Sequence, residues 1–164
     1  MPELGTPKRI PFDSAVARSS VFRALIEARF EHGGATAAFV DGDDRVLTYD
    51  NILRACFALG SALKAGTATG ECVGVMLPTG AAATIAFFGL SAFGRVPAML
   101  NFTTGPAGMK SAIATAQVKR VVTARRLVEI ACLQDVVAGL DAEILYLEDV
   151  RKNLTLANKL MAVL

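Results

Sequence analysis

The sequence is short of the side chains from which most enzyme sites are built. It has one histidine, His32, and three cysteines, Cys56, Cys72 and Cys132. No C-x-x-C pair occurs, and the cysteines are far apart in apolar settings. A zinc site would have to gather carboxylates from across the fold, and no spacing for one is present. An odd, unpaired cysteine count fits buried thiols in a reducing cytoplasm, not a disulfide framework. His32 stands beside Gly33 and Gly34 with no serine and aspartate placed for a triad, so it reads as a surface residue at a helix end. Charge of one sign is also lacking. Seventeen basic and 15 acidic residues leave a net charge of +2, which gives no electrostatic footprint for nucleic acid or an anionic membrane. The opening residues, MPELGTPKRIPFDS, contain no apolar signal core. The G-x-x-x-x-G-K-[ST] series is missing too, so no phosphate loop is expected.

What is present is apolar bulk. Apolar residues make up 53% of 164, much of it alanine, enough for one domain with a core. The longest uncharged run is CVGVMLPTGAAATIAFFGLSAFG, from Cys72 to Gly94. Its length alone would span a bilayer. Pro78, Thr79 and Gly80 nevertheless form a turn signal near its centre. No aromatic belt or Lys/Arg bias flanks it. The period also changes inside it. Val73 and Val75 suit a buried strand, whereas Ala83, Phe87, Leu90 and Gly94 recur at helical spacing. The run therefore reads as strand, tight turn and buried helix.

The rest of the chain extends that pattern. Residues 1–13 read as an irregular arm. A helix is expected from Ser14 to Phe30, stopped by His32-Gly33-Gly34. Ala37–Asp41 and Arg45–Leu47 read as a hairpin around Asp41-Gly42-Asp43-Asp44. Thr48 reads as the N-cap of a helix over Tyr49–Lys64. Strands then begin at Cys72, Val96, Arg120 and Glu143, about 24 residues apart. Helical patterns over 80–93, 106–117 and 125–138 separate them. This cadence predicts an α/β fold, a three-layer arrangement with a mostly parallel sheet of successive βα units and a small N-terminal hairpin. A last helical pattern, Leu154–Leu164, runs to the end without cap or polar tail, which suggests a chain cut from something longer.

Few residues carry chemistry. Asn101-Phe-Thr-Thr-Gly-Pro-Ala-Gly108 follows a strand, at the sheet edge where doubly wound folds bind ligands. Thr103 or Thr104 could cap the next helix with Pro106 early in it; a loop kept for its turn is the plainer reading. Thr79 could cap in the same way. Gly89 and Gly94 suggest close helix–sheet contact. Asp41, Asp43 and Asp44 do not continue a calcium-loop series, so a solvated turn is expected. Lys119, Arg120, Arg125 and Arg126 bracket a strand, either as a solvated rim or as a surface for an acidic partner.

The stretches ECVGVMLPTGAAATIAFFGLSAFGRVPAMLNFTTGPAG and VLTYDNILRACFALGSALKAG resemble the early part of the adenylate-forming acyl-activating enzymes, the AMP-dependent synthetase/ligase superfamily. GRVPAMLNFT followed by KRVVTARRLVE is most similar to the acyl–acyl carrier protein synthetase part of the 2-acylglycerophosphoethanolamine acyltransferases. The resemblance covers roughly residues 45–164 and implies a parent ligase that activates a fatty acid with ATP and magnesium. The acyl group then passes to coenzyme A or to the phosphopantetheine arm of acyl carrier protein. It also implies that the phosphate loop ending in Pro-Lys-Gly, the adenine-binding aromatic, the ribose-binding aspartate and the catalytic lysine all lie beyond Leu164. Leu77-Pro78 and Pro97–Asn101 match framework segments only. No catalytic, cofactor-binding or metal-ligating residue is carried over, so residues 14–164 are expected to be a truncated first subdomain without adenylating activity of its own. Self-association through an uncovered sheet edge, and a cytoplasmic parent associated with the inner membrane, follow as expectations. The alternative is a stand-alone interaction domain that binds an acidic carrier protein.

Overall fold

Two helical segments open the part of the chain that the computed structural model describes, residues 12–154. They are α1 (Ser14–Ala17) and α2 (Val21–His32), where one helix was expected. The break is chemical. Ser20 adopts an extended conformation and its hydroxyl accepts from the Arg23 N–H at 3.1 Å, so it starts a new helix instead of continuing the old one. Gly33, at φ 89°, closes α2 by donating to the Arg29 carbonyl at 3.0 Å. Strands β1 (Ala37–Val40) and β2 (Val46–Thr48) form the expected antiparallel hairpin. Thr48 caps α3 (Tyr49–Leu63) through a reciprocal box. Its Oγ1 accepts from Asn51 N at 3.2 Å, and Asn51 Oδ1 accepts from Thr48 N at 3.3 Å.

The βα cadence follows. Its elements are β3 (Cys72–Val75), α4 (Ala81–Ala92), β4 (Val96–Met99), a 3-10 turn at Phe102–Thr104, α5 (Gly105–Thr115) and β5 (Arg120–Thr123). Then come α6 (Arg125–Ile130), α7 (Gln134–Ala138), β6 (Glu143–Tyr146) and α8 (Leu147–Lys152). All four strands begin at the residues read from the sequence. They pair in parallel in the order β4-β3-β5-β6. Among the described residues no helix is long and apolar enough to cross a membrane. The proline turn at 78 divides the uncharged run as expected.

Alternation along the strands sorts side chains to two faces. Val73, Val75 and Val122 meet Leu63 of α3, Ala83, Ala86 and Leu90 of α4, and Leu147 of α8. Met76 and Val121 meet Met109 and Ile113 of α5, Val128 of α6 and Val137 of α7. This is a three-layer α/β fold. A further apolar cluster lies outside α3 and α4, where Phe22 and Leu25 of α2 and Phe39 and Leu47 of the hairpin pack on Ile52, Cys56, Ile85 and Phe88. Helix α4 is therefore covered on both sides, which is why it has no charged face.

Glycine sets how closely α3 and α4 approach. A Cβ on Gly60 would collide with the Gly89 carbonyl and come within 2.7 Å of Phe93 Cδ2; one on Gly89 would lie 2.9 Å from the Cys56 carbonyl oxygen. The close contact at Gly89 is helix to helix, a correction to the helix–sheet contact expected. Gly94 instead takes a left-handed φ of 72° just after α4.

Three other expectations change. The pattern over 125–138 is two helices. Val128 and Leu133 are both buried, yet five residues apart on an unbroken helix they would point about 140° apart. Cys132, in the left-handed region at φ 51°, turns the chain so that both reach the core. Helix α8 was not foreseen, and the Leu154–Leu164 pattern lies, apart from Leu154, outside the described residues. The cysteines are not uniformly buried either: Cys56 is enclosed, Cys72 half-buried and Cys132 exposed.

Gly60→Ala should lower the unfolding free energy by about 3 kcal/mol, because two backbones must separate. Gly42→Ala, with nothing within 4 Å of the new carbon, should change it by less than about 0.5 kcal/mol; urea denaturation at unchanged m-value reads both. Burial pushes the Cys56 thiol from 9.0 up to about 12. The unfolded thiol ionises first, so stability should be unaffected by this group below pH 9 and fall by roughly 1.4 kcal/mol per pH unit between the two values. Cys56→Ala should remove that slope. At pH 8 an aromatic disulfide reagent should titrate Cys132 at once and Cys56 only on unfolding.

Candidate functional site

In a parallel sheet with helices on both faces, the loops at the carboxyl ends of the strands form the open edge, and a strand order that reverses leaves a crevice between them. Here β3 is followed outward by β4 on one side and β5 on the other, so the reversal lies between β3 and β5. The loops at that edge are Met76–Gly80 after β3, Leu100–Thr104 after β4, Ala124 after β5 and the Tyr146–Leu147 step after β6.

The turn after β3 is anchored from a distance. Met76 N donates to the Val122 carbonyl at 2.9 Å, which ties the loop to β5. Thr79, one candidate for a cap, is exposed and caps nothing; Gly80 occupies the N-cap position before α4 and supplies no side-chain bond. Asp41, in the hairpin turn, supplies the acceptor. Its Oδ1 takes Gly42 N at 3.0 Å and Ala81 N at 3.4 Å, and its Oδ2 lies 3.7 Å from Arg45. A carboxylate at a helix start also suits the helix dipole. No local signal pointed to this, since the partners are 40 residues apart.

The loop after β4 is taken up with its own geometry. Asn101 Oδ1 accepts from Thr103 N at 3.0 Å and Thr103 Oγ1 at 2.8 Å. Thr104 Oγ1 donates to the Asn101 carbonyl at 2.8 Å. Neither threonine caps α5 with its side chain; Pro106 does sit in the first turn. Between α4 and the end of β4 is a groove of about 250 Å³, apolar except for Thr79 and Thr84, with Phe87, Phe88 and Met99 in its walls.

The basic rim divides in two. Arg125 begins α6, its guanidinium lies 4.1 Å over the Tyr146 ring, and it pairs with Asp149. Its N–H donates to Glu148 Oε1 at 2.9 Å, which clips the end of β5 to the start of α8. The register Thr123↔Tyr146 brings these four residues together, and only the strand order could have revealed them. Thr123 Oγ1 and Glu148 Oε2 are buried without a partner among the described residues. Arg120 is at the opposite edge, where Nε meets Glu143 Oε2 at 2.6 Å and an NH group reaches the Ala65 carbonyl at 3.1 Å. Lys119 stays exposed beside it and Arg126 beside Arg125. His32 is exposed and stacks at 6.0 Å on Tyr49.

These residues do not fit a triphosphate with magnesium. Arg125 is already neutralised, the amide and hydroxyl groups of the Asn101–Thr104 turn bond to one another, and no three acidic, histidine or cysteine side chains converge among the described residues. What this edge provides is a set of braced loop ends.

Solved structures share the arrangement. The N-terminal subdomain of Klebsiella oxytoca NpsA, in complex with 3-hydroxybenzoyl-AMSN, superposes with a TM-score of 0.68 at 17% identity, covering 88% of this chain and 35% of that one. A benzoate CoA ligase from Burkholderia xenovorans gives a TM-score of 0.69 at 17% identity, covering 84% of this chain and 29% of that one. The anthranilate CoA ligase AuaEII gives 0.63 at 19%, covering 80% and 27%. The chain thus spans about a third of the length of these proteins, and at such identities the likeness establishes the fold. The model of the AMP-binding enzyme family matches residues 26–161, from the second helix across the whole parallel sheet, and the chain belongs to that family.

Proposed function

We propose that the chain supplies the leading α/β portion of an ATP-dependent, AMP-forming ligase that activates a fatty acid as its acyl-adenylate and passes it to a thiol. The acceptor is coenzyme A or the phosphopantetheine arm of an acyl carrier protein. One observation carries the reading: the family match runs through every strand of a sheet in which the loops of one edge are braced and presented together. Support for acid–thiol ligation as the class comes from the benzoate and anthranilate CoA ligases that share the fold. Support for the fatty-acyl, carrier-protein branch comes from GRVPAMLNFT through β4 and KRVVTARRLVE through β5 and α6.

In this reading the described residues are framework. Asp41 fixes the start of α4, Asn101 shapes the loop after β4, and Arg125 with Glu148 joins β5 to α8. Charge developing on phosphate oxygens needs donors or cations aimed at it, and this reading assigns that task to other parts of the ligase than the described residues. A stand-alone module that docks an acidic carrier protein has less support, because Arg120 and Arg125, half of its basic rim, are paired within the chain.

The test is pyrophosphate exchange. The whole product of the gene should exchange labelled pyrophosphate into ATP when given medium- or long-chain fatty acids, and should form a thioester with coenzyme A or holo-acyl carrier protein. The 164-residue chain should do neither. Exchange with aromatic acids in place of fatty acids would overturn the substrate class; exchange by the 164 residues alone would overturn the framework assignment.

A further inference from the structure

At the sheet edge opposite those loops, the face that carries α5 and α7 contains a groove of about 500 Å³. One wall is a stripe of α5, Lys110, Ile113 and Ala114, whose spacing places them on one helix face, with Gln117 following just past the helix end. Ile113 and Val118 are buried and make an apolar floor. Lys110 and Lys119 are exposed at the rim, where Asp141 also stands. Neither lysine forms an ion pair among the described residues, in contrast to Arg120 and Arg125.

The helix ends around the groove do not supply the missing oxygens. The Ile113 and Ala114 carbonyls accept from Val118 N and Gln117 N at 3.0 and 3.2 Å. The Asp135 and Val136 carbonyls both accept from Gly139 N at 3.1 Å. Two ammonium groups are therefore left against one carboxylate, over an apolar floor. Gln117 adds a second observation. It holds the left-handed position after α5 (φ 51°), which glycine would occupy with least strain, and so keeps an amide side chain at the groove. Gly139 keeps the facing wall low; a Cβ there would lie 3.7 Å from Lys110 Nζ.

A concave, mostly apolar space of this size with a few polar groups at its rim is the usual form of a small-molecule site. We propose that this groove binds an amphiphilic anion, a carboxylate or phosphate head held by Lys110, Lys119 and Gln117 with its apolar body along Ile113, Ala114 and Val118. The groove shares no residue with the carboxyl-edge loops, so this inference and the ligase reading stand or fall separately.

Amide spectra of the ¹⁵N-labelled 164-residue chain, titrated with decanoate, decyl phosphate, decanol and phosphatidylglycerol vesicles, test it. Decanoate and decyl phosphate should shift the amides of residues 110–119 and 139–141. Affinity should fall about tenfold or more in the Lys110→Gln/Lys119→Gln double variant, as expected when charge-assisted bonds are removed, and rise in Asp141→Asn. Both variants alter exposed side chains, so a dispersed spectrum confirms that they remain folded. Vesicle binding together with decanoate binding would identify a lipid headgroup as a second source of the same chemistry. Decanol binding as tightly as decanoate, shifts centred elsewhere, full affinity in the double variant, or binding to vesicles alone would each overturn the proposal.

Discussion

The structure depends on one constraint, the burial of α4 from two directions. The sheet takes Ala83, Ala86 and Leu90, and the outer cluster of α2 and hairpin takes Ile85, Phe88 and Ala92. On the faces turned to the sheet and to the outer cluster such a helix can carry no charge, because an ionised side chain there would be withdrawn from water without a partner. It must also be thin where α3 crosses it, which Gly60 and Gly89 permit. The long uncharged run that could have been a membrane span is the trace of this arrangement in the sequence.

From that fixed helix the two sheet edges acquire different characters. At the amino-terminal edge, arginines bind backbone together. Arg95 donates to Thr67 Oγ1 at 2.9 Å, to the Phe93 carbonyl at 2.5 Å, to the Lys64 carbonyl at 3.2 Å and to the Thr67 carbonyl. Arg120 holds the end of α3 to β6. At the carboxyl edge, carboxylates do the joining: Asp41 to the start of α4, and Glu148 and Asp149 to Arg125. The loop ends at that edge are thereby braced within the chain. Lys110 and Lys119, by contrast, stand at the amino-terminal edge without an ion pair among the described residues.

Much of the fold was legible because it is written locally. Thr48 with Asn51, Gly33 after α2 and the turn at Pro78 act within a few residues of themselves, and strand starts recur with the period that a βα unit requires. The candidate site was legible in location but hardly in content. Thr79, Thr103 and Thr104 satisfy the residue preferences of caps, yet the cap of α4 comes from Asp41 and the other two hydroxyls are engaged within their own turn. Arg125, Tyr146, Glu148 and Asp149 are separated by some 20 residues and meet only because β5 and β6 are neighbours.

By itself the sequence determined the α/β class, the hairpin, the parallel strands and the division of the uncharged run at Pro78, since periodicity, caps and turn residues act over short stretches. The tertiary structure decided the strand order, the break at Cys132, the helix–helix contact at Gly89 and which arginines are neutralised. Each of these depends on groups brought together from distant positions, where the energy belongs to the pair and neither member announces it alone.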